Sequence, residues 1–330
     1  MPPKPPNPLL RASSALGRFR RRPPEATPEE IGHSDLDRWL VPLFGPQLEA
    51  IEGRIEGRGA EGYREFRELD DDLWSLLLTL EYDAFPGIRS FLPELPPRAI
   101  QEQWNGASGP ALAAQGVCFY RKLKEVQARH GRRGLAESAV LDFGCGWGRL
   151  TRMLARDVDP GGLFGCDPVE EILEACRRTG VPAELARSEF LPERLPFDQA
   201  FDLVFAFSVL THVSERSALA LLGAIESALE PGGLFVFTIR PSAYLDVNPL
   251  MEPAVERLGP GREELDGPAY VFVPHDVEEE HPQYDGTEMS YGEAVVTLPW
   301  IEQNAPGFEL ADVAVLTGDI YQVVVTLRKR

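Results

Sequence analysis

Three glycines at alternate positions, Gly144, Gly146 and Gly148, follow the apolar run Ala139–Phe143 in the stretch "VLDFGCGWGRL". An apolar, β-branched run that breaks into bare backbone and resumes as an amphipathic stretch reads as strand, tight turn and helix, with the turn freed of Cβ atoms. Four further apolar runs, Leu163–Cys166, Ala183–Ala186, Phe201–Phe207 and Leu234–Ile239, are mostly separated by amphipathic helical stretches. Alternation at this spacing dictates a parallel sheet with helices on both faces. Two last runs, Phe308–Leu316 and Ile320–Leu327, have only Thr317, Gly318 and Asp319 between them. So short a connection makes a hairpin and not a crossover, so the last strand is expected to run antiparallel. The fold class is therefore α/β, doubly wound.

Ahead of this region the pattern differs. Residues 1–30 are rich in proline and arginine and poor in core residues, which predicts a disordered leader. Residues 31–100 read as a helical N-terminal region and linker. Leu36, Trp39, Leu40, Leu43 and Phe44 recur at helical spacing, and Leu73, Trp74, Leu76, Leu77, Leu78 and Leu80 follow the acidic "ELDDD". The repeat "IEGRIEGR" between them reads as a solvated, glycine-weakened helical stretch, and the prolines of "FPGIRSFLPELPPR" as a linker. Residues 101–330 then form the sheet domain, opening with a helix over Gly109–His130.

Charge limits the partners. The chain of 330 residues has 52 acidic against 33 basic side chains, a net −19. Met1–Arg22 holds six basic residues and no acidic one, so the rest is more acidic still. Such a body repels phosphate backbones, which disfavours nucleic acid as substrate. No apolar run approaches the roughly 20 residues that cross a bilayer. The four cysteines show no CxxC spacing and no export signal precedes them, so reduced thiols and a cytoplasmic location are expected.

In a doubly wound sheet, ligands sit beyond the carboxyl ends of the strands. A dinucleotide turn spaces its glycines G-x-G-x-x-G; here Arg149 holds the third place, which favours a nucleotide-like ligand without phosphates. Asp167, closing the second strand, is placed to accept from both hydroxyls of a ribose, and Asp142, at the base of the turn, to pair with a ligand's ammonium group.

The segments "VLDFGCGWGR", "GCDPVEEIL", "FDLVFAFSVLTHV" and "LEPGGLFVFTI" resemble, in order and spacing, the successive motifs of class I S-adenosylmethionine-dependent methyltransferases. "QEQWNGASGPALAAQGVCFYRKLK" resembles the helical lead-in of a bacterial small-molecule or glycan-type subgroup. The resemblance implies a seven-stranded sheet of order 3-2-1-4-5-7-6 with strand seven antiparallel. It implies S-adenosylmethionine as cofactor, with Gly144, Cys145, Gly146 and Gly148 along its methionine and ribose parts. Asp142 would hold the amino group, Asp167 the ribose and Pro168 the adenine edge. Ser188 or Glu189 would serve the adenine amine, and Phe207 and Ser208 would stand beside the transferred methyl. The implied acceptor is a small molecule or glycan, methylated on oxygen or nitrogen.

Methyl transfer mainly needs alignment, with a base only where the nucleophile must lose a proton. His212 in "SVLTHV" is the histidine placed to serve, either as that base or as a helix-start ring bonded to backbone. "PHDVEEEHPQYDGTE" contains His275, Asp276, Glu280 and His281, but reads as a solvated loop between strands five and six rather than a metal site. Tyr244, Tyr270, Tyr284 and Trp300 are candidates for an acceptor pocket or for core packing. Arg149 is expected in a surface ion pair or, alternatively, against the cofactor from the first helical turn, and Trp104 in a lid over the cofactor or a packed loop. The rival readings are a dinucleotide-dependent oxidoreductase on the same fold and a non-catalytic cofactor-binding adaptor.

Overall fold

The computed structural model describes residues 36–276, Gln283 and residues 288–330. The leader expected over 1–30 lies outside the described residues. The strands are β1 (Val140–Phe143), β2 (Leu163–Asp167), β3 (Glu184–Arg187), β4 (Phe201–Ala206), β5 (Leu229–Ile239), β6 (Tyr270–Pro274), β7 (Gly292–Val296), β8 (Phe308–Leu316) and β9 (Asp319–Lys329). The α-helices are α1 (Asp37–Ile55), α2 (Asp71–Thr79), α3 (Pro86–Phe91), α4 (Arg98–Asn105), α5 (Pro110–His130), α6 (Arg149–Leu154), α7 (Glu170–Arg178), α8 (Glu215–Ala228), α9 (Glu252–Leu258) and α10 (Leu298–Asn304).

Seven strands form one sheet of order β3-β2-β1-β4-β5-β9-β8. β1, β2, β3, β4 and β5 pair in parallel, while β9 runs antiparallel to both β5 and β8. With β8 and β9 as the sheet's sixth and seventh strands, this is the expected order and the expected antiparallel strand.

The central strands β1, β2, β4 and β5 are mostly apolar because both of their faces are covered. Val140, Leu163, Leu203, Phe205, Leu234 and Val236 join one buried cluster, and their neighbours Leu141, Phe164, Val204, Phe235 and Phe237 join another on the opposite face. On the second face α8 brings Ala218, Leu221, Leu222 and Ile225, and α10 brings Trp300 and Ile301. The first face is covered by α5, through Phe119, Tyr120 and Leu123, and by the N-terminal helices, through Leu40, Leu48, Ile51, Phe66, Trp74 and Leu77. The N-terminal region thus shares its core with the sheet.

Local chemistry sets the ends of these helices. The carboxylate of Asp70 accepts from the amides of Asp72 and Leu73, capping α2. α1 runs through the first half of "IEGRIEGR" and stops at Ile55, with Gly57 following at φ +73°. The proline-rich stretch read as a linker contains a short helix, α3, whose Pro86 sits in the first turn, where a missing N–H costs nothing.

One arginine ties the N-terminal layer to the sheet domain. Arg156, 1% exposed, donates to the carbonyls of Phe66 and Leu69 at 3.1 and 2.9 Å and to the Tyr120 hydroxyl at 3.0 Å, and it also pairs with Asp71. Its removal takes a buried donor from the Phe66 and Leu69 carbonyls and from the Tyr120 hydroxyl, and leaves Asp71 to Lys124 and Arg121. Arg156→Met is expected to lower unfolding stability by about 3–5 kcal/mol, read as a fall in the denaturation midpoint; a loss within about 0.5 kcal/mol would show that the tie is dispensable.

Candidate functional site

The turn between β1 and α6 forms the floor of a cavity of about 800 Å³. Gly144, Gly146 and Gly148 adopt φ of +74°, +53° and +79°, in the region L side chains rarely enter. Their surroundings differ. A Cβ on Gly144 would fall 2.6 Å from Val209 Cγ2, and one on Gly148 2.8 Å from Val181 Cγ2, so those two glycines allow close packing. At Gly146 the nearest atom, 3.7 Å away, belongs to Trp104 across the cavity. There a Cβ would meet no clash, only van der Waals contact with that ring, and the bare backbone lines the cavity.

Two buried carboxylates frame the turn. Asp167, ending β2, accepts from the Gly146 and Val169 amides, each at 3.0 Å, one on each oxygen. Each oxygen keeps a further acceptor site, enough for two hydroxyls. Burial pushes Asp167 up to about 6. Asp142 accepts from the Thr151 hydroxyl at 2.6 Å, and burial pushes it up to about 7. A carboxylate so raised gains from a cation placed beside it.

Cys145, Pro168, Glu189, Phe207 and Ser208 also line the cavity. Ser188 is buried and does not line it, which leaves Glu189 as the acidic group at that end. Arg149 departs from its expected surface ion pair. It is 6% exposed, donates to Gln115 Oε1 at 2.7 Å and lies 5.3 Å above the Phe207 ring, since the turn points α6 inward. Trp104 stands over Gly146 from α4, and the neighbouring Asn105 accepts from the Trp147 indole at 2.5 Å, tying α4 to the turn. Ser208, just after β4, has φ +61°, a strained value for serine. Thr238 Oγ1 accepts from its amide at 2.8 Å, and Gln322 donates to its hydroxyl at 3.0 Å.

Beyond Ser208 the cavity continues into a polar cluster built by a hairpin. β6 and β7, two strands not expected from the amino-acid sequence, pair antiparallel and flank the charged run of residues 274–288. The hairpin docks on the segment after β4 through the Gly292 and Ala294 amides, which donate to His212 and Thr211 carbonyls at 2.9 Å each. That docking delivers Glu293 and Tyr291 to His212. His212 Nδ1 lies 2.9 Å from the Gly292 carbonyl, and Arg240 Nη2 lies 3.4 Å from His212 Nε2. A carbonyl only accepts and a guanidinium only donates, so the proton is on Nδ1 and the lone pair on Nε2. Burial holds His212 below the usual histidine range, against the attraction of Glu293. His212 therefore has the form a general base requires.

Of the other expected residues, Tyr270 and Trp300 belong to the core. The Tyr270 hydroxyl donates to the Val213 carbonyl at 2.8 Å and the Trp300 indole to Glu215 at 2.6 Å. Tyr284, Glu280 and His281 lie outside the described residues, among which no group of three possible metal ligands occurs. Arg240 and Glu293 were not singled out from sequence. Their signals are a charged residue closing an apolar strand in "FVFTIR" and an acid inside the strand "GEAVV".

A seven-stranded sheet of this order, carrying a Cβ-free turn and two strand-end carboxylates, defines a nucleoside-binding α/β domain. Residues 140–233 match the model of a methyltransferase domain. Residues 140–233 thus carry a methyltransferase domain. The chain is 29% identical over 142 residues to the ubiquinone biosynthesis O-methyltransferase of Photorhabdus laumondii, covering 42% of this chain and 57% of that one. It is 38% identical over 112 residues to the tRNA U34 carboxymethyltransferase of Klebsiella pneumoniae, covering 31% of each. The chain thus spans less than two thirds of the length of these curated relatives. The crystal structure of the glycopeptide N-methyltransferase MtfA with S-adenosylmethionine aligns with a TM-score of 0.44 at 16% identity, over 64% of this chain and 94% of that one.

The carboxylates set a pH prediction. Protonation of Asp142 or Asp167 removes the charge that attracts a ligand ammonium or accepts from a ribose. With both raised, to about 7 and about 6, affinity for S-adenosylhomocysteine should weaken as pH falls from 8 to 5.5. Below both values it should lose about tenfold per pH unit for each proton that must leave. Calorimetric titration across that range checks it; affinity flat from pH 8 to 5.5 would show that neither carboxylate contacts the ligand.

Proposed function

We propose that the protein is a cytoplasmic methyltransferase that uses S-adenosylmethionine to methylate a hydroxyl oxygen of a small-molecule or glycan-type acceptor. The observation that carries this reading is a single cavity with a nucleoside cradle at one end and, at the other, an imidazole that keeps its proton on Nδ1 and turns its Nε2 lone pair to a long, 3.4 Å contact with Arg240.

The residues present fit the cofactor. Gly146 leaves a space that a Cβ would fill, Asp167 retains acceptor sites for two hydroxyls, and Asp142 awaits a cation. When bound, S-adenosylmethionine supplies a sulfonium methyl whose C–S bond breaks as the C–O bond forms, the sulfur keeping the electron pair. The chain's part is to align the acceptor hydroxyl, exclude water and take its proton on His212 Nε2. Nδ1–H, held by the Gly292 carbonyl, fixes the ring, and Glu293, 3.6 Å from Nδ1, steadies the imidazolium that forms. Oxygen is favoured over nitrogen because a hydroxyl must shed its proton near the transition state.

The dinucleotide alternative would place a pyrophosphate where Arg149 interrupts the glycine spacing, on a helix of only six residues. Nucleic acid as acceptor is opposed by the net charge of −19.

In a turnover assay that follows S-adenosylhomocysteine release over a panel of hydroxylated small molecules, His212→Ala should lower kcat by about 10²–10⁴-fold. Affinity for S-adenosylhomocysteine should not change. Undiminished kcat would reduce His212 to a structural ring.

A further inference from the structure

The acceptor end of the cavity holds one cation whose interactions are poorer than its burial warrants. Arg240, at the end of β5, has a side chain 12% exposed and lines the cavity. Its guanidinium carbon stands over the Tyr244 ring, 3.9 Å from the centroid. Its polar contacts are long. Nη2 donates to His212 Nε2 at 3.4 Å, and Nε, 3.6 Å from Glu293 Oε2, is buried with no hydrogen-bond partner among the described residues.

Glu293 is already spoken for. The Tyr244 hydroxyl donates to its Oε2 at 2.8 Å and is itself fixed by Asn248 at 2.6 Å. His212 and His275 stand 3.6 and 3.5 Å from its Oε1. The carboxylate is thus shared among a phenol and two imidazoles and gives the guanidinium no bidentate partner. A buried guanidinium gains most from two parallel N–H···O bonds to one planar anion, and the desolvation cost of this one is not offset by contacts of 3.4 and 3.6 Å.

We propose that Arg240 is the specificity residue for an acceptor carboxylate, and that the acceptor is a hydroxy acid whose carboxylate draws the guanidinium off His212 Nε2 as its hydroxyl takes that place. This rests on the methyl-transfer reading for the fate of the hydroxyl. A carboxylate adds one negative charge beside Glu293, whereas a phosphate dianion would add two, at greater repulsion from that carboxylate. The arrangement gives a reason for the 3.4 Å contact. Without an acceptor Arg240 covers the base; an acceptor lacking the anion leaves it covered. His212 is thereby made competent by the molecule whose proton it takes.

The test uses the full chain with 2-, 3- and 4-hydroxybenzoate as probes, the three matching hydroxybenzamides as neutral counterparts, and phenyl phosphate as the dianion. Binding is measured by calorimetry in the presence of S-adenosylhomocysteine. At least one hydroxybenzoate should bind tenfold or more tightly than its amide and more tightly than phenyl phosphate. Arg240→Gln should abolish that preference, and Arg240→Lys should restore part of it. Both variants should keep S-adenosylhomocysteine affinity within about twofold of the parent, a sign that they fold. A second readout follows the His212 imidazole by NMR: Arg240→Gln should raise its pKa, because a cation is removed while Glu293, His275 and Tyr291 remain. Equal affinity for acid and amide, no binding of either, a preference for phenyl phosphate, a preference surviving in Arg240→Gln, or an unmoved His212 pKa would each overturn the proposal. Failure of S-adenosylhomocysteine to bind the parent protein would instead overturn the methyl-transfer reading, and the carboxylate comparison would still be read without it.

Discussion

The site depends on a carboxylate that holds backbone. Asp167 ends β2, is 4% exposed, and spends one acceptor site of each oxygen on an amide, Gly146 on one side and Val169 on the other. Those bonds pin the apex of the glycine turn to the neighbouring strand and set the direction in which α7 departs. Because the same carboxylate keeps lone pairs facing the cavity, the group that shapes the cradle also faces whatever lies in it. Its burial is unfavourable to the charge, as its raised pKa records, and a ligand that donates hydrogen bonds or brings a cation relieves that cost.

The sheet exists to hold this geometry still. Both faces are covered, one by α8 and α10, the other by α5 and the N-terminal helices, so each strand end is fixed from two sides. The separate hairpin β6–β7 then adds what the sheet lacks. It lays Glu293 and Tyr291 against the segment after β4, converting an ordinary strand-end histidine into a ring of defined tautomer. Cradle and acceptor end are thus built by different parts of the chain, and the cavity joins them.

That division explains what could be read from the amino-acid sequence. The antiparallel last strand and the placing of the turn followed from local signals: apolar runs, glycines at alternate positions, and a gap too short for a crossover; the strand order came instead from the resemblance to a known family. Gly146, Asp142, Asp167 and His212 were singled out as candidates from such local signals as well, since each sits within a few residues of a strand end. The hairpin was missed because "YVFVP" and "GEAVV" are short and flank a dense charge run, which dominates any local window. Arg240 and Glu293 meet across 53 residues of chain, a pairing no periodicity encodes. Arg149 was misplaced for a related reason: a charged residue in a first helical turn looks solvated until tertiary packing rotates that helix inward.

The most direct test of the central claim, that the bare turn and Asp167 cradle a nucleoside bearing a sulfonium or thioether, is a paired calorimetric titration of the purified protein at pH 8 with S-adenosylhomocysteine and with NAD. The structure predicts one-to-one binding of S-adenosylhomocysteine, at least tenfold tighter than that of NAD and reduced about tenfold or more by Asp167→Ala. Binding of NAD in preference, or S-adenosylhomocysteine affinity indifferent to Asp167→Ala, would contradict it.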